Sequence, residues 1–216
     1  MKQIKNKRNA GFSLIELLIA MTVLLVLLGF ISSLFARSMG MRARESRRTD
    51  ALTSAQAALN VMSREIANSG FGIYVDSTTK RASNGIITAD SSQNRLHFRS
   101  NVTNSDLSTN SPGEDITYFF DNDTASIVRY DPNDSQKTSV IVNRISAVQF
   151  KYFDYIGTNS TVTAEPGNDN PTTNTGRVRI TVTVQLEAVQ GQPDNQTVTF
   201  SSDVTLRNSN YMLNQY

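Results

Sequence analysis

The sequence predicts an α+β protein: one long N-terminal α-helix, part transmembrane and part amphipathic, packed on an antiparallel β-sheet head. Three observations carry that expectation. An apolar run extends from Phe12 to Phe35 with Glu16 as its one charge. No proline interrupts the chain from there to Asn68, and apolar residues recur at spacings of three and four from Leu52 to Ile66. After Gly72 the apolar period changes to two. A helix repeats every 3.6 residues and a strand every two, so the change marks a change of structure.

The apolar run comes first. Phe12 to Phe35 is 24 residues, about 36 Å as a helix, enough to cross a hydrocarbon core of roughly 30 Å. A cleaved secretory signal has a shorter apolar core followed by a small-x-small site. Here the run is too long, and Leu34-Phe35-Ala36-Arg37 makes a poor site of that kind. The helix is therefore expected to stay with the protein. Glu16 stands out within it, because a lone carboxylate in a membrane segment costs roughly 2.5–3.5 kcal/mol on insertion scales and is a functional hypothesis by default. Lys2, Lys5, Lys7 and Arg8 precede the run, and Arg37, Arg42, Arg44, Arg47 and Arg48 follow it. The charge count across the span is close to even and does not set its orientation.

The helix is expected to continue beyond the membrane. Leu52, Ala55, Leu59, Met62 and Ile66 form one apolar stripe, fit to pack against the head, while Ser54, Asn60, Ser63 and Arg64 fall elsewhere. Asn68-Ser69-Gly70 followed by Gly72 supplies a stop, with Gly70 as a C′ residue. Gly29 and Gly40 are weak points along the way.

Strands are expected at Arg95–Arg99, Ile116–Phe120, Ser126–Tyr130, Val140–Val142, around Val148, Phe150 and Tyr152, at Arg177–Glu187, and from Val198 to Leu206. The clearest is Arg177–Glu187, where Val178, Ile180, Val182, Val184 and Leu186 alternate with polar residues. Strands with one apolar face, joined by polar turns such as Asp131-Pro132-Asn133-Asp134 and Gly191 to Asn195, read as antiparallel sheet. Ser100–Glu114 and Gly157–Gly176 read as long polar loops.

Composition narrows the chemistry. The chain has 216 residues, no Cys, no Trp and one His, with a formal charge of +2. Without Cys there are no disulfides and no thiolate sites, so the head is held by core packing alone. Loss of the first eleven residues would remove four basic groups and leave 17 basic against 19 acidic residues, which argues against a general nucleic-acid binder. His97, alone in an alternating strand, cannot supply a triad or a His-rich metal site. Asp121-Asn122-Asp123 and Asp131 to Asp134 could offer oxygen ligands to Ca²⁺, but Ala125 stands at the fifth position of the first run and no Gly follows. These read as turns. No cofactor, metal site or enzymatic activity is expected.

The stretch Gly11-Phe12-Ser13-Leu14-Ile15-Glu16-Leu17-Leu18-Ile19-Ala20 behind a short basic segment resembles the prepilin leader of the type IV pilin superfamily. The resemblance implies a pilin fold. It implies cleavage by a prepilin peptidase after Gly11 and methylation of the new N-terminus at Phe12. It places Glu16 at the family's acidic position, where its carboxylate can pair with the charged amine of a neighbouring subunit, fixing register within an apolar filament core. The implied segments are a leader at 1–11, a transmembrane or filament-core helix at 12–35, its amphipathic continuation at 36–69 and a β-rich head at 70–216. Ser32 and Ser33 stand where major pilins often carry a proline.

A more diffuse resemblance runs from Leu59 to Phe71, with its Arg64-Glu65 pair and Ser69-Gly70-Phe71 stop, and is similar to PilW-type minor pilins and J-type pseudopilins. The functions implied are a minor pilin that initiates or caps a type IV pilus, a pseudopilin of a type II secretion system, or a single-pass anchored binding module, for instance in DNA uptake. The partners implied are other pilin subunits, the prepilin peptidase and an inner-membrane assembly platform. The location implied is the bacterial inner membrane before assembly, with the head outside the cytoplasm, and the cell-surface pilus after it.

Overall fold

The computed structural model describes residues 11–76, 81–103, 108–156, 161–186, 195–209 and 212. The basic residues of the expected leader, Glu187, most of the 191–195 turn and short stretches of both long loops (104–107 and 157–160) lie outside the described residues. The chain forms two compact units, Met1–Ser46 and Arg47–Tyr216. One helix, α1 (Leu14–Ala67), contributes to both.

In the first unit every residue from Gly11 to Ser46 is exposed. The exposed surface includes Leu17, Leu18, Val23, Leu24, Leu27, Leu28, Phe30 and Ile31. The helix is long and apolar enough to cross a membrane, and none of that apolar stretch is buried within the protein.

The second unit is α+β, with α1 packing on antiparallel sheet. Its strands are β1 (Tyr74–Asp76), β2 (Arg81–Ala82), β3 (Arg95–Arg99), β4 (Asp115–Asp121), β5 (Ser126–Tyr130), β6 (Thr138–Asn143), β7 (Ile145–Ile156), β8 (Thr161–Val162), β9 (Thr175–Gln185) and β10 (Thr197–Thr205). A 3₁₀ turn at Thr88–Asp90 precedes β3. One sheet has the order β3-β4-β5-β6, the second β10-β9-β7-β8, and β1 pairs with β2. Pairing between neighbours is antiparallel throughout.

The alternation in the sequence decides which side of each strand faces inward. Leu96 and Phe98, Ile116 and Tyr118, Val148, Phe150 and Tyr152, and the row Val178, Ile180, Val182 and Val184 enter one core cluster. Ala55, Ala58, Leu59, Met62 and Ile66 of α1 belong to the same cluster, with Ala51, Leu52 and Ala67 partly buried against it. Each buried Leu, Ile or Met contributes about 1.5–3 kcal/mol. Phe98 and Tyr118 stack at 6.2 Å between ring centroids.

Among the described residues the head contains two four-stranded sheets, where the strand pattern alone suggested one. The division lies between β6 and β7, which are separated by a single residue, Arg144, at φ 60°. A side chain rarely adopts that backbone conformation, and it turns the chain out of the first sheet. β7 then pairs with β9, from Ile145 opposite Val184 to Asp154 opposite Thr175, rather than with β6. The expected loop 157–176 also carries structure: β8 lies within it, and Asn168 bridges Tyr152.

The helix stop differs in detail from the expected C′ glycine. After Ala67 the chain tightens into i→i−3 turns, Asn68 N–H to Glu65 O and Ser69 N–H to Ile66 O. Gly70 has φ +81°, but its N–H donates to Arg99 O at 2.9 Å rather than to the helix. A Cβ at Gly70 would lie 2.0 Å from Ser83 O, and one at Gly85 would lie 2.2 Å from Gly70 N. These glycines let two backbone segments cross beside the end of β3, a need for close approach as much as for dihedral freedom.

Candidate functional site

The sequence directs attention to the start of α1. Gly11, Phe12 and Ser13 precede the first helical residue, Leu14, and all three are exposed. The Gly11–Phe12 peptide therefore lies outside the helix. A Cβ at Gly11 would meet nothing within 4 Å.

Glu16 lies one turn into the helix. Its Oε2 accepts a hydrogen bond from Ser13 N–H at 3.1 Å, and Leu17 N–H donates to Ser13 O at 3.1 Å. Ser13 is thus the N-cap and Glu16 the N3 residue, the carboxylate half of a capping box. A negative charge there also faces the positive end of the helix dipole, worth about 0.3–1 kcal/mol. The spacing Ser-x-x-Glu is the signal that could have shown this from the sequence. Glu16 therefore stabilises the start of its own helix. Its other oxygen has no partner among the described residues and is open to an incoming cation.

The other end of α1 meets the head. Ala55, Leu59, Met62 and Ile66 are buried, and Leu52 is partly buried. Ala58 joins them; it lies three residues after Ala55 and four before Met62, so the stripe includes it, and its small side chain lets the sheet approach closely. Beside the stripe sits a polar junction that the sequence did not reveal. Tyr118 Oη donates to Glu65, and Arg129 Nε donates to Glu65 Oε2 at 3.1 Å. Burial, then the Glu65 charge, pushes the Tyr118 hydroxyl pKa far above its usual range, so it remains a donor. Arg129 also lies 3.6 Å from the buried Asp131. One carboxylate on the helix is thereby tied to β4 and β5.

His97 is bracketed by two carboxylates: Nδ1 is 2.9 Å from Asp90 Oδ2 and Nε2 is 2.6 Å from Asp115 Oδ1. Arg99 Nε donates to the other oxygen of Asp115 at 2.8 Å. The Ser91 hydroxyl bonds the His97 backbone, not the ring. The arrangement ties the 3₁₀ turn, β3 and β4 together. The acidic turns use their oxygens locally. Asp121 accepts from Asp123 N–H and the Thr124 hydroxyl, and Asp131 accepts from Gly113 N–H at 2.6 Å and Asn133 N–H at 3.0 Å. Among the described residues no group of three or more His, Asp or Glu side chains is gathered as a cation would require. The loop before β4 closes on the buried Glu114, which accepts from Thr103 N–H, the Thr103 hydroxyl and Ser111 N–H.

A family model, described as a prokaryotic N-terminal methylation motif, matches residues 6–32. No curated protein and no solved structure matches the chain. The matched motif brackets Gly11, Phe12 and Glu16 and ends inside the exposed apolar helix. A motif of this type implies a prepilin peptidase and other pilin subunits as partners in general, and its family is structural rather than enzymatic. The N-terminal motif, the apolar helix and the α+β head together support a type IV pilin-like, membrane-anchored protein.

Proposed function

We propose that the chain is a minor pilin, a non-enzymatic subunit that helps initiate a type IV pilus or sits at its tip. Residues 1–11 are removed as the leader, and Phe12 becomes the methylated N-terminus. Residues 12–35 cross the inner membrane and later enter the filament core. Residues 36–69 continue the helix, and 70–216 form the head outside the cytoplasm. The peptidase and the assembly platform act on the chain first; other pilin subunits then receive it, and the cell-surface pilus is its destination.

One observation carries this reading: the matched motif runs into a helix whose apolar side chains from Leu14 to Phe35 are exposed and bury nothing within their own chain. Apolar surface on that scale needs either lipid or other helices. In a filament core the free amine of Phe12 and the open oxygen of Glu16 on an adjoining subunit form an ion pair in low dielectric. Register is what such a pair supplies.

The experiment is Glu16→Ala in cells. The variant is expected to insert and to be cleaved, but to be depleted from sheared filaments. Incorporation at the wild-type level would contradict the role given to Glu16. Co-purification with pilus subunits rather than with secretin-linked pseudopilins tests the pilus assignment against the secretion-system one.

A further inference from the structure

The geometry points to a homotypic interface: β10 pairs antiparallel with β10 of a second copy of this chain, joining two four-stranded sheets into one. Leu186 N–H donates to Gln196 O, and Leu206 N–H donates to Gly176 O. In the β9–β10 register these positions fix the hydrogen-bonded pairs at the even residues of β10. The N–H and C=O groups of Thr197, Thr199, Ser201, Asp203 and Thr205 therefore point away from β9. None of them has a backbone partner among the described residues.

Free edges are usually blunted by short strands, charges, bulges or covering segments. Three other edges among the described residues show such devices. β3 is covered by bridges from Ile86 and Ser92. β8 has two residues. β6 lies between Lys137 and Arg144, and its pairing carries an irregularity. β10 has nine residues, no Lys, no Pro and an unbroken register. Its one charge, Asp203, is held by Arg179 through contacts of 2.6 and 2.9 Å.

The strand is also complementary to itself. The sequence Thr-Val-Thr-Phe-Ser-Ser-Asp-Val-Thr, turned about Ser201, sets Thr197 opposite Thr205, Val198 opposite Val204, and Thr199 opposite Asp203. Val–Val and Thr–Thr are favourable cross-strand pairs, and no like charges meet. On the inner face Val198 and Phe200 are only partly buried at this edge, leaving apolar surface for the second copy to cover. A twofold arrangement of this kind is closed and isologous. It stands on the head alone and does not depend on the pilin reading.

The test uses the full chain in detergent, with micelles in excess over protein. The wild type is expected to sediment as a dimer. Because the chain has no cysteine, Ser201→Cys gives a clean probe: across the twofold a hydrogen-bonded pair places its Cα atoms about 5.5 Å apart, within disulfide reach. Mild oxidation should convert most of S201C to a covalent dimer, whereas Val140→Cys on β6 should remain monomeric. Ser201→Lys sets two ammonium groups face to face and should yield a monomer with an unchanged circular dichroism spectrum. A monomeric wild type, S201C crosslinking no better than V140C, or an S201K variant that remains dimeric would each overturn the interface. Should S201K fail to fold, the cysteine pair decides alone.

Discussion

The two units use apolar residues in opposite ways. From Leu14 to Phe35 the helix exposes nearly all of them, whereas from Ala55 to Ile66 the same helix places its stripe at 0–5% exposure. The difference lies in the pattern. An all-round apolar helix has no polar face to turn outward, so its partners must be lipid or other chains. A one-sided stripe can be satisfied by the inner faces of the chain's own sheets. Intramolecular stability is thus generated in the second unit, whereas the apolar surface of the first is left for lipid or other chains.

Matched substitutions break or sharpen this contrast. Met62→Ala removes a fully buried side chain and should cost the head about 2–5 kcal/mol. Leu24→Ala, with 58% exposure, should leave head unfolding unchanged. Denaturant unfolding followed by tyrosine fluorescence separates the two, and an equal loss in both would dissolve the distinction.

Tyr118→Phe comes next. It removes the donor from Glu65 while Arg129 stays in place, and a hydrogen bond to a charged group is worth about 1.5–3 kcal/mol. Glu65→Gln in the Tyr118→Phe background should then cost less than it does alone, which a double-mutant cycle measures.

Two glycines of α1 and its stop should respond with opposite signs. Gly70→Ala forces a side chain to φ +81° and into Ser83 O, at a cost of about 1–3 kcal/mol from the backbone alone. Gly29→Ala meets nothing within 4 Å and should stabilise the helix by about 0.5–1 kcal/mol. Unfolding of the head reads the first, and helix content by circular dichroism reads the second.

The smallest effect concerns acid. The Arg179 hydrogen bond, with Arg177 nearby, holds the Asp203 carboxyl below the usual carboxylate range. Its folded-state pKa is depressed, so the stabilisation is present above the unfolded value of about 3.9 and is lost as pH falls through the folded value. Asp203→Asn should flatten the acid side of the stability profile. The change near neutral pH should be about 0.2–1 kcal/mol, because the pair is solvent-screened.

Periodicity made the seven main strands legible, along with the helical stripe apart from Ala58, because apolar alternation is a local property. The split into two sheets was not legible: it turns on the dihedral of Arg144 and on pairing between β7 and β9. Nor was the Glu65 junction, whose partners lie 53 and 64 residues away. The contact between Glu16 and Ser13 was local and carried a spacing signal. His97 gave the reverse case, a residue without catalytic partners in the sequence whose two carboxylate neighbours come from the preceding turn and the adjacent strand.

The proposed ion pair at Glu16 requires trimming of the N-terminus, since only a cleaved chain presents a charged amine beside the apolar helix. The intact mass of protein purified from its native membrane tests this most directly. A mass lower than that of the unprocessed chain by residues 1–11, with one methyl group added, is the predicted result. A mass that includes residues 1–11 would contradict it.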